Sequence, residues 1–121
     1  MDYLNRLIGK TITDISIGQG TYYSLKTKKD KKQSLLQIVD ETCITIEDYS
    51  LTIFNKIILD SNNTSIDAFL GRKVKRIIQS DQEVRIATDN GWISIDLRDD
   101  ATVGPEAMSL LGPNNLCVVW N

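Results

Sequence analysis

The chain has 121 residues, 41% hydrophobic and 25% charged, which is enough for one folded domain and too apolar for a disordered segment. Fourteen basic and sixteen acidic residues leave a net charge of −2, which argues against a general nucleic-acid binder with its positive surplus. Histidine is absent, so Ser–His–Asp and Cys–His catalysis and the usual zinc sites are excluded, while carboxylate, lysine and tyrosine chemistry stay open.

Asp2 can cap a short helical turn running through Leu7, and Gly9 can end it in a left-handed conformation. A strand follows, with Ile12 and Ile15 three apart. Strict alternation needs an even spacing, so a β-bulge is expected near Asp14. Residues 18–39 read as an inserted hairpin. Two strands, 22–26 and 35–39, flank a tip rich in Lys26, Lys28, Lys29, Lys31 and Lys32. Such a tip is either a solvated turn that blocks strand-edge association or a basic patch beside Tyr22 and Tyr23. Gly18 and Gly20 lack the third glycine and the helix of a phosphate loop. Ile44 and Ile46, a turn near Asp48-Tyr49-Ser50, then Leu51 and Ile53 make the next hairpin.

Asn62-Asn63 marks a junction, after which the pattern restarts. Leu7-Ile8-Gly9-Lys10-Thr11-Ile12-Thr13-Asp14-Ile15 lies on Phe69-Leu70-Gly71-Arg72-Lys73-Val74-Lys75-Arg76-Ile77 at a constant offset of 62 (7 to 69, 15 to 77). Ser65 or Thr64 can cap the second helical turn, Gly71 ends it, and a second bulge is expected near Arg76. Val84 and Ile86, the turn Asp89-Asn90-Gly91, and Ile93, Ile95 and Leu97 form a hairpin. Residues 107–111 and 116–120 form a last strand pair across Gly112-Pro113-Asn114-Asn115, with Trp120 as core or edge cover.

The predicted fold is mainly β, at the margin of α+β. It is a single domain over 1–121 made of two pseudo-repeats, about 1–60 and 61–121, with antiparallel hairpins and a short helical turn before each repeat. The expected core is Leu7, Ile8, Ile12, Ile15, Ile44, Ile46, Leu51, Ile53, Phe69, Leu70, Val74, Ile77, Val84, Ile86, Ile93, Ile95 and Leu97. Cys43 and Cys117 lack metal or disulfide-framework spacing and read as reduced packing residues. No apolar run reaches the roughly 18–20 residues of a membrane span, and the first residues do not read as a secretory signal, so a cytoplasmic location is expected.

One charge cluster stands out: Asp96, Asp99, Asp100 and Glu106, with Asp89 upstream. Its spacing is not that of a calcium loop. It reads as a solvated loop, as a partner-binding patch, or as a carboxylate pair for catalysis. Trp92, out of phase with Ile93 and Ile95, should face away from the core with Ser94 and Asp96. There it either anchors a partner or packs beneath a terminal hairpin. No cofactor or metal site is expected.

The repeated unit, the hairpin Ile86-x-x-Asp89-Asn90-Gly91-x-Ile93-x-Ile95 and the ending Pro105-Glu106-Ala107-Met108-Ser109-Leu110-Leu111-Gly112-Pro113 together resemble a family of small, uncharacterised bacterial β-rich domains. The likeness is clearest from Phe69 to Pro113. The chain departs from the pattern in the 18–39 insertion and in Met108, where a tryptophan is expected. Such domains are similar to immunity proteins of polymorphic toxin and contact-dependent growth-inhibition systems. The resemblance implies no enzymatic activity. It implies a cytoplasmic antitoxin that occludes a cognate protein toxin, such as a basic nuclease. Asp89, Trp92, Asp96, Asp99, Asp100 and Glu106 would be the contact residues. The competing expectations are a homodimeric scaffold using an exposed sheet edge, and an enzyme using the acidic cluster. Neither nucleic acid nor membrane is an expected partner, and a monomer or weak homodimer is the expected state.

Overall fold

The computed structural model describes residues 3–28, 31–60, 65–98 and 107–120, with side chains described outside 19–40. Among the described residues the fold has two 3-10 turns, Tyr3–Leu7 and Ile66–Phe69, and nine strands. The strands are β1 (Ile12–Lys28), β2 (Lys31–Ile46), β3 (Tyr49–Ile53), β4 (Ile57–Leu59), β5 (Val74–Gln79), β6 (Glu83–Thr88), β7 (Gly91–Asp96), β8 (Met108–Gly112) and β9 (Leu116–Trp120). They form a five-stranded sheet, β1-β2-β3-β8-β9, and a four-stranded sheet, β4-β7-β6-β5, antiparallel throughout. Among the described residues no helix is long and apolar enough to cross a membrane.

The repeat is visible in the hydrogen bonds. The Gly9 N–H donates to the Val74 carbonyl and the Gly71 N–H to the Ile12 carbonyl, both at 2.8 Å. The Ile12 N–H donates to the Arg72 carbonyl and the Val74 N–H to the Lys10 carbonyl, at 2.8 and 2.9 Å. Each bond maps onto its counterpart at the offset of 62, so the two repeats meet about a pseudo-two-fold axis. Gly9 and Gly71 have φ of +88° and +81°, the left-handed region where a side chain is strained. The Ser65 hydroxyl caps the second turn, accepting from the Asp67 N–H at 3.3 Å. The Asp2 cap lies outside the described residues. Register breaks fall between Ile12 and Asp14 and between Val74 and Arg76, where the odd apolar spacing requires them.

The repeats also exchange strands. Each lays down three consecutive strands, β1-β2-β3 or β5-β6-β7, and its fourth strand joins the other repeat's sheet. Thus β4, which follows β3, pairs with β7, and β8, which follows β7, pairs with β3. Leu51 faces Leu110 and Ile53 faces Met108, while Ile93 faces Leu59 and Ile95 faces Ile57. Neither sheet is complete within one repeat.

One buried cluster draws Ile12, Ile44, Ile46, Leu51, Ile53, Met108 and Leu110 from the first sheet and Val74, Val84, Ile86, Ile93 and Ile95 from the second. Leu4, Leu7 and Phe69 of the 3-10 turns are also fully buried. Ile8 and Leu70, expected inside, are 44% and 51% exposed. In a 3-10 turn residues three apart share a face, so Leu4 and Leu7, or Ile66 and Phe69, point inward and the next residue points out. Ile15 and Ile77 are half-buried against the cluster. Met108, where a tryptophan was expected, is wholly enclosed.

Two other expectations change. The first short hairpin turns at Glu47–Asp48, with Glu47 at φ +55°, and Tyr49 and Ser50 already belong to β3. Residues 18–39 form the expected hairpin, with Tyr22↔Gln37 and Ser24↔Leu35, but as the far end of β1 and β2 and not as strands of their own: the pairing runs unbroken from Asp14↔Thr45 to Lys28↔Lys31. The side chains of the lysine tip and of Tyr22 and Tyr23 lie outside the described set.

Candidate functional site on the second sheet

Alternation along β6 and β7 divides their side chains between two faces. Val84, Ile86, Ile93 and Ile95 enter the core. Glu83, Arg85, Ala87, Trp92, Ser94 and Asp96 take the other face, paired as Glu83↔Asp96, Arg85↔Ser94 and Ala87↔Trp92. The expected outward phase of Trp92 with Ser94 and Asp96 is therefore the observed one. The neighbouring strands add Ile58, opposite Ser94, and Ile78, opposite Arg85, which are 47% and 42% exposed.

The Arg85 guanidinium lies over the Trp92 ring, 4.0 Å from its centroid, within cation–π range. Glu83 orients that arginine at 3.7 Å and accepts from the Ser94 hydroxyl at 2.7 Å. The Trp92 backbone N–H donates to the Asp60 carboxylate at 3.2 Å.

Asp96 is the anchor of the strand end. Its carboxylate accepts from Arg98 Nε at 3.0 and 3.1 Å, from the terminal guanidinium nitrogen at 2.7 Å and from the Arg98 backbone N–H at 3.0 Å. The Asp96 carbonyl accepts from the Asn55 amide at 2.7 Å. The Arg98 side chain, then its backbone N–H, hold the carboxyl below the ordinary aspartate range, against the opposing effect of burial. A carboxylate bound this way stays ionised at neutral pH and is a poor proton acceptor or donor. Beside it opens a shallow cleft of about 300 Å³, lined by Ile58, Ser80, Gln82, Glu83, Ser94, Asp96 and Arg98.

The repeat supplies an internal comparison. The β2–β3 pairing Cys43↔Thr52 corresponds to Arg85↔Ser94 at an offset of 42, and Ser50 to Trp92. Where the second sheet carries the arginine–tryptophan stack, the first carries Cys43 and Ser50, with Sγ and Oγ 3.3 Å apart. Asp96 corresponds to buried Phe54. At these corresponding positions one backbone plan thus holds short side chains on β2 and β3 and large, charged or aromatic ones on β6 and β7.

The expected contact residues do not all gather. Asp89 sits in the turn before β7, roughly 17 Å or more along the strand from Asp96, and pairs with Arg72 at 3.8 Å. Trp92 and Asp96 share a face, but Asp96 is 7% exposed and neutralised by Arg98. Asp99, Asp100 and Glu106 lie outside the described residues. Arg76, Arg85 and Arg98 stand beside Glu83 and Asp96, three cations to two carboxylates, so the described part of this face is not acidic; the remaining acids of the expected patch lie outside the described residues. Arg85, Arg98 and Ile58 went unnoticed in the sequence. The alternation Glu83-x-Arg85 opposite Trp92-x-Ser94-x-Asp96 was the signal for the first of them. Among the described residues no three Asp, Glu or Cys side chains form a candidate metal set. Comparison with family models, curated proteins and solved structures found no match to this chain.

Proposed function

We propose that this chain is a cytoplasmic immunity protein that binds a cognate bacterial toxin and occludes its active or substrate-binding face, working by recognition rather than by chemistry. The observation that carries the reading is the Arg85–Trp92 stack on an outer sheet face, at positions where the other repeat has Cys43 and Ser50. Tryptophan and arginine are the residues most enriched at interface hot spots. The stack presents a flat cation–aromatic surface, and exposed Ile58 and Ile78 flank it with apolar area across the sheet. Held ionised by Arg98, Asp96 is unsuited to proton transfer and suited to fixing the geometry of the cleft. Asp99, Asp100 and Glu106 follow β7 in the chain and would supply the negative charge that steers a basic toxin.

The test is to mix the protein with the product of the adjacent upstream reading frame and to co-express the two in cells. Tight binding and protection are expected. Reversing the charge of Asp99 and Asp100 should slow association, with less effect at high salt. Absence of both binding and protection contradicts the proposal.

A further inference from the structure

Four strands lie at sheet edges: β1, β9, β4 and β5. An edge strand offers unpaired backbone donors and acceptors, and natural proteins guard it with charge, brevity or bulges. Three of the four are guarded. The β5 edge carries Lys75 and Arg76 and a register break, β4 has three residues between Lys56 and Asp60, and β1 runs into its lysine-bearing end. The β9 edge, Leu116-Cys117-Val118-Val119-Trp120, has no such guard. No charged residue occurs from Ala107 to Asn121, in a chain that is 25% charged. Cys117 and Val119 are exposed on its outer side, Val119 by 44%, and Leu111, opposite Cys117, by 48%.

We infer that β9 is a homodimerisation edge: two copies pair their Leu116–Trp120 strands antiparallel about Val118, fusing two five-stranded sheets into one of ten. In that register Val118 meets its own copy, Cys117 meets the partner's Val119, and Leu116 meets the partner's Trp120. Self-pairing sets no charge against a like charge, whereas β5 on β5 would oppose lysine and arginine. The half-buried Leu116, Val118 and Trp120 gain cover on the core side, and Leu111 and Val119 of both copies join into one apolar strip on the other. The edge belongs to the first sheet and the Trp92 face to the second, so the dimer carries two toxin-binding faces, and the inference holds or fails independently of that function.

Sedimentation of the full chain through the micromolar range tests it. A reversible monomer–dimer equilibrium insensitive to ionic strength is expected, because no charges meet across the pairing. Val119→Lys, at an exposed site, should raise the dimer dissociation constant about tenfold or more while leaving the circular dichroism unchanged. Val119→Cys should be linked by mild oxidant into a covalent dimer through Cys117 of the second copy. Within one strand, side chains two apart stand about 7 Å from each other, beyond the roughly 4.5 Å that a disulfide spans. A monomer at every concentration overturns the inference. So does a dimer that Val119→Lys leaves intact, that salt dissociates, or that the oxidant fails to link. Monomers whose β9 becomes protected only on adding a toxin would assign the edge to a foreign strand and also overturn it.

Discussion

Gly9 and Gly71 hold the same left-handed backbone, and each donates its N–H to the first strand of the opposite repeat, Gly9 to Val74 and Gly71 to Ile12, at 2.8 Å. This reciprocal contact sits where the halves meet. Both glycines have open space around the position of a Cβ. Replacing either by alanine therefore introduces backbone strain without a clash. Gly9→Ala and Gly71→Ala are each expected to lower stability by about 1–2 kcal/mol, and by similar amounts, in urea unfolding. Gly112→Ala should behave differently. Its Cβ would come within 2.7 Å of the Tyr49 ring, so overpacking adds a cost of about 1–3 kcal/mol.

Exchange of β4 and β8 leaves neither repeat with a complete sheet, so the molecule should unfold as one unit. Trp92 reports on the second sheet and Trp120 on the first. Single-tryptophan variants, Trp92→Phe and Trp120→Phe, should give urea transitions that coincide with each other and with circular dichroism. Separate midpoints would mean that the sheets are independent.

Much of this architecture was legible because local chemistry dictated it. The left-handed glycines, the odd Ile12–Ile15 and Val74–Ile77 spacings and the alternation of β6 and β7 each have one physical solution. The exchange was not legible, since which sheet a short strand such as β4 joins depends on tertiary pairing that periodicity does not encode. Ile8 and Leu70 were misplaced because an apolar pair before a glycine does not distinguish a 3-10 from an α turn. The pairing of Asp96 was not legible for a related reason. The carboxylate of Asp96 looks free in sequence, and only the fold closes Arg98 around it.

That closure has a pH signature. A folded-state pKa held below the unfolded value contributes stability that is complete above about pH 4 and is lost as pH falls through the folded value. Asp96→Asn removes this contribution. Urea midpoints measured from neutral pH down to about pH 3 should fall less steeply for the variant than for the parent chain.

If the arginine–tryptophan stack is the anchor, its removal should be felt by the toxin far more than by the fold. Trp92→Ala is expected to weaken toxin binding by about 30-fold or more, corresponding to about 2 kcal/mol. Ser50→Ala, at the corresponding position on the first sheet, should leave affinity unchanged. Arg85→Ala combined with Trp92→Ala should cost less than the sum of the single changes, because each residue orients the other.

Amide hydrogen exchange on the free protein and on its complex with the upstream gene product tests most directly which surface does the binding. Slowed exchange is expected over Glu83–Thr88 and Gly91–Asp96, with Tyr49–Ile53 unchanged. Protection confined to Tyr49–Ile53, or none on the second sheet, would contradict the assignment of its outer face as the working surface.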